Sequence, residues 1–141
     1  MSKQSQLFSR FKPRGSTLGF LGATAFLTLA ASLVGIADNP PGILLLYGAG
    51  ICLVLAVVHR WRSPNRFGYL LGGSVIGFFL MVVIHNFAEV GAERIAHLPA
   101  IALFLSAISV VGFIAAVILC PAAVAVGLIG FSASLSTKKR S

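Results

Sequence analysis

The chain has 141 residues, of which 57% are hydrophobic and only 10% charged, at a mean hydropathy of +0.97. Soluble domains carry roughly 25% charged residues, and a chain this short leaves much of its surface wet. A water-soluble domain is therefore excluded, and so is disorder, which requires low hydrophobicity. The formal charge is +8, with 11 Lys and Arg against 3 Asp and Glu.

The class that remains is an all-α membrane protein. The expected architecture is a compact bundle of four transmembrane helices with cytoplasmic N- and C-termini. A helix needs about 20 apolar residues to cross a hydrocarbon core roughly 30 Å thick. Residues 1–16 are read as a basic cytoplasmic segment carrying Lys3, Arg10, Lys12 and Arg14. Leu7, Phe8 and Phe11 lie among these cations, so the segment either rests on anionic headgroups or is a solvated tail.

Residues 17–133 are read as one four-span domain. The first span, 17–37, is uncharged. Its Thr24, Thr28 and Ser32 lie four apart, and hydroxyls in that position usually bond back to their own helix or to a neighbour. Gly35-Ile36-Ala37 has the small residues of a leader-cleavage site. The apolar run before it is long for a leader and right for a span, so a retained span is expected. The break Asp38-Asn39-Pro40-Pro41-Gly42 cannot continue a helix. Asn39 is expected to cap the second helix, with Pro40 or Pro41 in its first turn.

The second span is expected over about 43–59, followed by the polar turn Arg60-Trp61-Arg62-Ser63-Pro64-Asn65-Arg66. The third is expected over about 67–88, with Gly91 as its end cap. The break is placed over Glu89–Leu98, and Pro99 opens the fourth span. Uncharged sequence then runs from Pro99 to Thr137, too long for one straight crossing. The span is placed over 99–120, with a kink at Pro121 and a helical extension leaning along the inner interface. A fifth crossing would put Lys138, Lys139 and Arg140 outside, against the charge rule. Residues 134–141 form a basic tail.

Ten of the eleven cations fall in three segments: before span one, between spans two and three, and after span four. Positive residues stay cytoplasmic, and the three acids, Asp38, Glu89 and Glu93, all fall in the opposite connections. Topology thus accounts for the positive charge without a nucleic acid, which would require a coherent basic patch. Trp61, Phe67 and Tyr69 fall at the inner boundary and Tyr47 just inside the outer one, the depths that amphipathic rings favour.

Residues able to carry chemistry are few. Cys52 and Cys120 are expected about 13 Å and 31 Å below the outer starts of their spans. That is too far apart in depth for a disulfide, so both are read as small packing residues. His59 and His85 fall at opposite leaflets, which excludes a haem held between them. The one chemically rich stretch repeats His85, Glu89, Glu93 and His97 at four-residue spacing, a polar stripe if helical. If Gly91 turned the chain, the His85/Glu89 and Glu93/His97 pairs would face one another at the outer mouth. Imidazole and carboxylate would suit zinc or another divalent metal there, but the spacing is H-x-x-x-E, and the alternative is a solvated loop of weak local pairs.

No Walker-type, H-E-x-x-H or G-x-S-x-G motif occurs, and no charged residue falls mid-span, where ion-coupled carriers usually need one. Small residues recur at Gly19-x-x-x-Ala23, Gly68-x-x-x-Gly72, Gly73-x-x-x-Gly77 and Gly112-x-x-x-Ala116, spacings that let helices approach closely. The expected role is non-enzymatic and without cofactor: a scaffold, accessory or assembly subunit of the inner (plasma) membrane, prokaryotic by its compactness. Its partners would be the bilayer and other membrane subunits or further copies of itself. The alternatives are a passive channel or small-solute transporter, and a metal-binding protein.

Overall fold

The computed structural model describes residues 15–36 and 39–138. All regular structure among the described residues is helical. The helices are α1 (Gly15–Val34), α2 (Pro40–Val58), α3 (Pro64–Arg94), α4 (Pro99–Ile114) and α5 (Cys120–Lys138), with a π-helical segment, Ala115–Leu119, joining the last two. Four continuous apolar stretches are long enough to cross a membrane: Gly15–Val34, Pro40–Val58, Pro64–Arg94 and Pro99–Ser136. Most of the expected basic N-terminal segment, Asp38 and the end of the basic tail lie outside the described residues.

The chain divides into two compact units, one ending at His59 and the other beginning at Arg60. The first is the α1–α2 hairpin. Its helices hold 20 and 19 residues, about 30 Å and 28 Å of helix, close to one bilayer core each. Gly35 ends α1 with φ +89°, a left-handed conformation that costs a residue without a Cβ least. Its N–H donates to the Ala31 carbonyl at 3.0 Å and closes the last turn. Asn39 occupies the N-cap position of α2, but its side chain does not cap that helix. Its Nδ2 donates instead to the Val34 carbonyl at 2.8 Å, satisfying the end of α1. Pro40 and Pro41 fill the first turn of α2 as expected.

Small residues let the two helices meet. A methyl group on Gly42 would run into the Gly35 carbonyl oxygen, and one on Gly48 would touch Leu27 Cδ1 at 3.4 Å. Ala31 and Ala49 are buried there. The hydroxyl row behaves as its spacing suggests. Thr24, Thr28 and Ser32 each donate to the carbonyl four residues earlier at 2.9 Å. Thr24 also reaches across to the Ala49 carbonyl at 3.4 Å.

The second unit is a longer hairpin. α3 has 31 residues, about 46 Å of helix. The sequence placed the end of this helix at Gly91, but it runs on to Arg94, and only residues 95–98 turn. Gly91 faces Leu105 instead, with its missing methyl 3.1 Å from Leu105 Cδ1. It packs against the opposite arm, where a side chain would press on the end of Leu105. Glu89 and Glu93 consequently stand on the last turns of a helix rather than in a loop.

The other arm is continuous. Pro121 has no N–H for the α-register bond and its ring crowds the preceding turn. The helix widens just before it, and the Cys120 N–H bonds to the Ala115 carbonyl five residues back. Beyond Pro121 the chain continues as helix beside α3. Gly91 meets Leu105, Gly112 meets Met81 and His85, Gly127 meets Leu71, and Gly130 meets the Phe67 ring. Each step back along α3 is matched by a similar step forward along the partner arm, so the antiparallel pairing runs from Gly91 with Leu105 to Phe67 with Gly130. The extension after Pro121 therefore packs on α3 over at least residues 127–130 and makes no return of its own.

Candidate functional site

The two carboxylates of the second unit, Glu89 and Glu93, and its His85 stand on the last turns of α3, which face α4. His85 sits on α3, half-buried, because Gly112 lets the α4 backbone come within van der Waals reach of the α3 backbone. A Cβ there would lie 3.3 Å from the Met81 carbonyl oxygen and from the His85 nitrogen. This approach places Ser109, which is only 6% exposed, directly on the imidazole. His85 Nδ1 is 3.0 Å from the Ser109 carbonyl oxygen and 2.8 Å from Ser109 Oγ. Nδ1 can donate to the carbonyl, or accept from the hydroxyl, so Ser109 holds the ring in either tautomer. The Phe113 ring lies 5.3 Å away, tilted at 50°.

On its other side, His85 Nε2 lies 3.5 Å from Glu89 Oε2. Nε2–H donates to the carboxylate whenever Nε2 carries the proton. The Glu89 side chain is 56% exposed, so water screens the pair and its worth is about 0–1 kcal/mol. A groove of about 380 Å³ opens beside it, lined by Glu89, Ala92, Glu93, Ser106, Ser109 and Val110.

Of the four residues singled out as metal ligands, the structure brings His85 and Glu89 together and sets Glu93 on the same groove. His97 lies exposed in the turn and does not line it. Among the described residues no three His, Cys, Asp or Glu side chains converge as a ligand set. The fold replaces the expected His–Glu mouth with an interhelical clasp of Ser109, His85 and Glu89. Ser109 carries no local sequence signal. It stands 24 residues from His85, and only the pairing of the two arms reveals it.

The remaining candidates have structural duties. His59 closes the end of the first hairpin: Nδ1 lies 2.9 Å from the Leu55 carbonyl, Nε2 lies 3.0 Å from Ser16 Oγ, and the Phe20 ring stands 5.4 Å away. Cys52 and Cys120 are free thiols, and Cys120 Sγ is 3.7 Å from where a Gly77 methyl would sit. Trp61 packs edge-on against buried Phe67 with centroids 5.8 Å apart. A second groove, about 470 Å³ and almost wholly apolar, runs between α3 and α5 past Phe78, Cys120 and Pro121.

Comparison with protein-family models, curated proteins and solved structures finds no match.

Proposed function

We propose that this chain is a four-span membrane protein with both ends and the arginine-rich 60–66 connection on the cytoplasmic side of a prokaryotic inner membrane. Its role is non-catalytic: an accessory or assembly subunit that docks on a larger membrane partner through the projecting end of its second hairpin. The charge distribution supports the orientation. The observation that carries the role is a mismatch of length.

From Phe67, at the inner boundary, to His85 is about 27 Å of helix, one bilayer core. The residues level with this stretch on the other arm are 112–130, some ten residues later than the sequence window. The end beyond them, α3 from Asn86 and α4 up to Val111, extends past a bilayer core. It presents Phe87 at 77%, Leu103 at 73% and Phe104 at 65% exposure. Lipid alone satisfies this end poorly. Sinking it into the hydrocarbon immerses Glu89, Glu93 and Arg94, at a cost of up to about 3 kcal/mol each. Raising it into water exposes these large apolar side chains, and apolar surface left in water is characteristic of interaction sites. A protein partner at the outer headgroup level covers the apolar side and leaves the carboxylates wet.

The test is purification from the native membrane in mild detergent. The wild-type chain should carry a stoichiometric partner, and Phe104→Glu should release it while the purified variant keeps its helix content. A monodisperse wild-type monomer without partner, or a Phe104→Glu complex that stays intact, would overturn the reading.

A further inference from the structure

The end of the second unit opposite the carboxylates carries positive charge for which the described residues hold no carboxylate partner. Arg60, Arg62 and Arg66 lie within seven residues and all three are exposed. The protein has only three acidic side chains, Asp38, Glu89 and Glu93. Two of them stand at the far end of α3, about 35–40 Å from Arg66 at helical rise. Among the described residues no carboxylate lies within 4.0 Å of these arginines, the one such pair being His85 with Glu89.

The segment that holds the arginines is anchored. Trp61 stacks edge-on against Phe67, Phe67 is 8% exposed, and its ring fills the space that Gly130 leaves open on the opposite arm. The Arg66 N–H donates to the Ser63 carbonyl at 3.2 Å and fixes the turn into α3. The indole therefore sits at a fixed position beside the first apolar turn, where Trp marks the headgroup level. The guanidinium groups flank it in sequence on both sides. Arginine forks bind phosphate oxygens in pairs, which a lysine ammonium cannot reproduce.

We infer that Arg60, Arg62 and Arg66, arranged about Trp61, form a binding site for the phosphate of an anionic phospholipid in the cytoplasmic leaflet. The lipid headgroup supplies the counter-charge that the described residues do not place there. Acyl chains would lie against the exposed apolar face that begins with Tyr69. The inference rests on the membrane-spanning reading above but not on the accessory role.

The test is native mass spectrometry of the full chain from mixed micelles holding equal phosphatidylglycerol and phosphatidylcholine, repeated with millimolar inorganic phosphate. The comparison is with the triple variant R60K/R62K/R66K, which keeps every charge and hence the topology. Wild type should retain phosphatidylglycerol preferentially, the triple variant should lose about threefold or more of that preference, and free phosphate should not displace the lipid. Trp61 emission and far-UV circular dichroism establish that the variant is folded, and R62K alone provides a milder change. Equal retention of the two lipids, equal preference in wild type and triple variant, or displacement by inorganic phosphate would each overturn the site. Failure of the membrane reading looks different: the chain would stay soluble once detergent is removed.

Discussion

Gly112 is where added volume in the second hairpin meets the backbone of the opposite helix most directly. The first carbon of any side chain there would sit 3.3 Å from the Met81 carbonyl oxygen, 3.3 Å from the His85 nitrogen and 3.4 Å from His85 Cβ. Two of these are backbone atoms of a helix and cannot swing aside. Alanine asks for a shift of a few tenths of an ångström, and its higher helix propensity, worth up to about 1 kcal/mol, offsets much of the strain. Gly112→Leu forces the arms apart. That costs about 1–3 kcal/mol in overpacking, and it also breaks the two contacts from Ser109 to His85 Nδ1. Interhelical hydrogen bonds in membranes average about 0.6 kcal/mol, so the total is roughly 2–4 kcal/mol. Thermal unfolding of the detergent-solubilised protein, followed by size-exclusion chromatography of a fluorescent fusion, should show Tm lower by roughly 5–15 °C. Gly72→Leu is the control, because nothing lies within 4 Å of the space its side chain would enter. Equal Tm for the two variants would refute the close approach of α4 to α3.

The remaining predictions concern the same unit. In a Cys52→Ser/Cys120→Ser background, the pair Leu71→Cys and Gly127→Cys should form a disulfide on mild oxidation. A Gly127 Cβ would lie 2.9 Å from Leu71 Cγ and 3.5 Å from the Leu71 nitrogen. Absence of the cross-link on non-reducing gels would mean that the chain after Pro121 leaves α3. Ser109→Ala removes one partner of His85 Nδ1 and keeps the carbonyl, so it should cost no more than about 1 kcal/mol. Glu89→Gln should cost less than about 0.5 kcal/mol, its carboxylate being exposed. A larger loss for Glu89→Gln than for Ser109→Ala in the same thermal assay would reverse the assignment of the clasp.

Much of this architecture was readable from residue chemistry. The breaks expected at Asp38–Gly42 and Arg60–Arg66, and the helix start at Pro99, rest on proline and polar residues, which act locally; Pro40 and Pro64 in fact open the helices that follow, so each helix starts before its polar run ends. Gly91 misled because glycine ends helices in one context and admits a neighbouring helix in another. What decides here is Leu105, which is distant in sequence. The charged pair Glu89 and Glu93 suggested a loop for the same reason, since local polarity does not report the packing opposite. Pro121 pointed correctly to an irregularity, but the π-helical turn before it lets the helix continue along α3. Glycine spacing was a weak guide. Gly112 and Ala116 are buried, whereas Gly19, Gly68, Gly72 and Gly73 face open space, and contacts at Gly127 and Gly130 had not been singled out. The Ser109–His85 contact depends on the register of two arms, which no short-range pattern encodes.

Membrane orientation tests the account most directly. Single cysteines placed by Asp38→Cys and Ser63→Cys, in a background lacking Cys52 and Cys120, are exposed in intact spheroplasts to a membrane-impermeant maleimide and again after lysis. The account predicts that position 38 is labelled in intact spheroplasts and that position 63 is labelled only after lysis. Labelling of position 63 in intact spheroplasts, or of neither position until lysis, would contradict it.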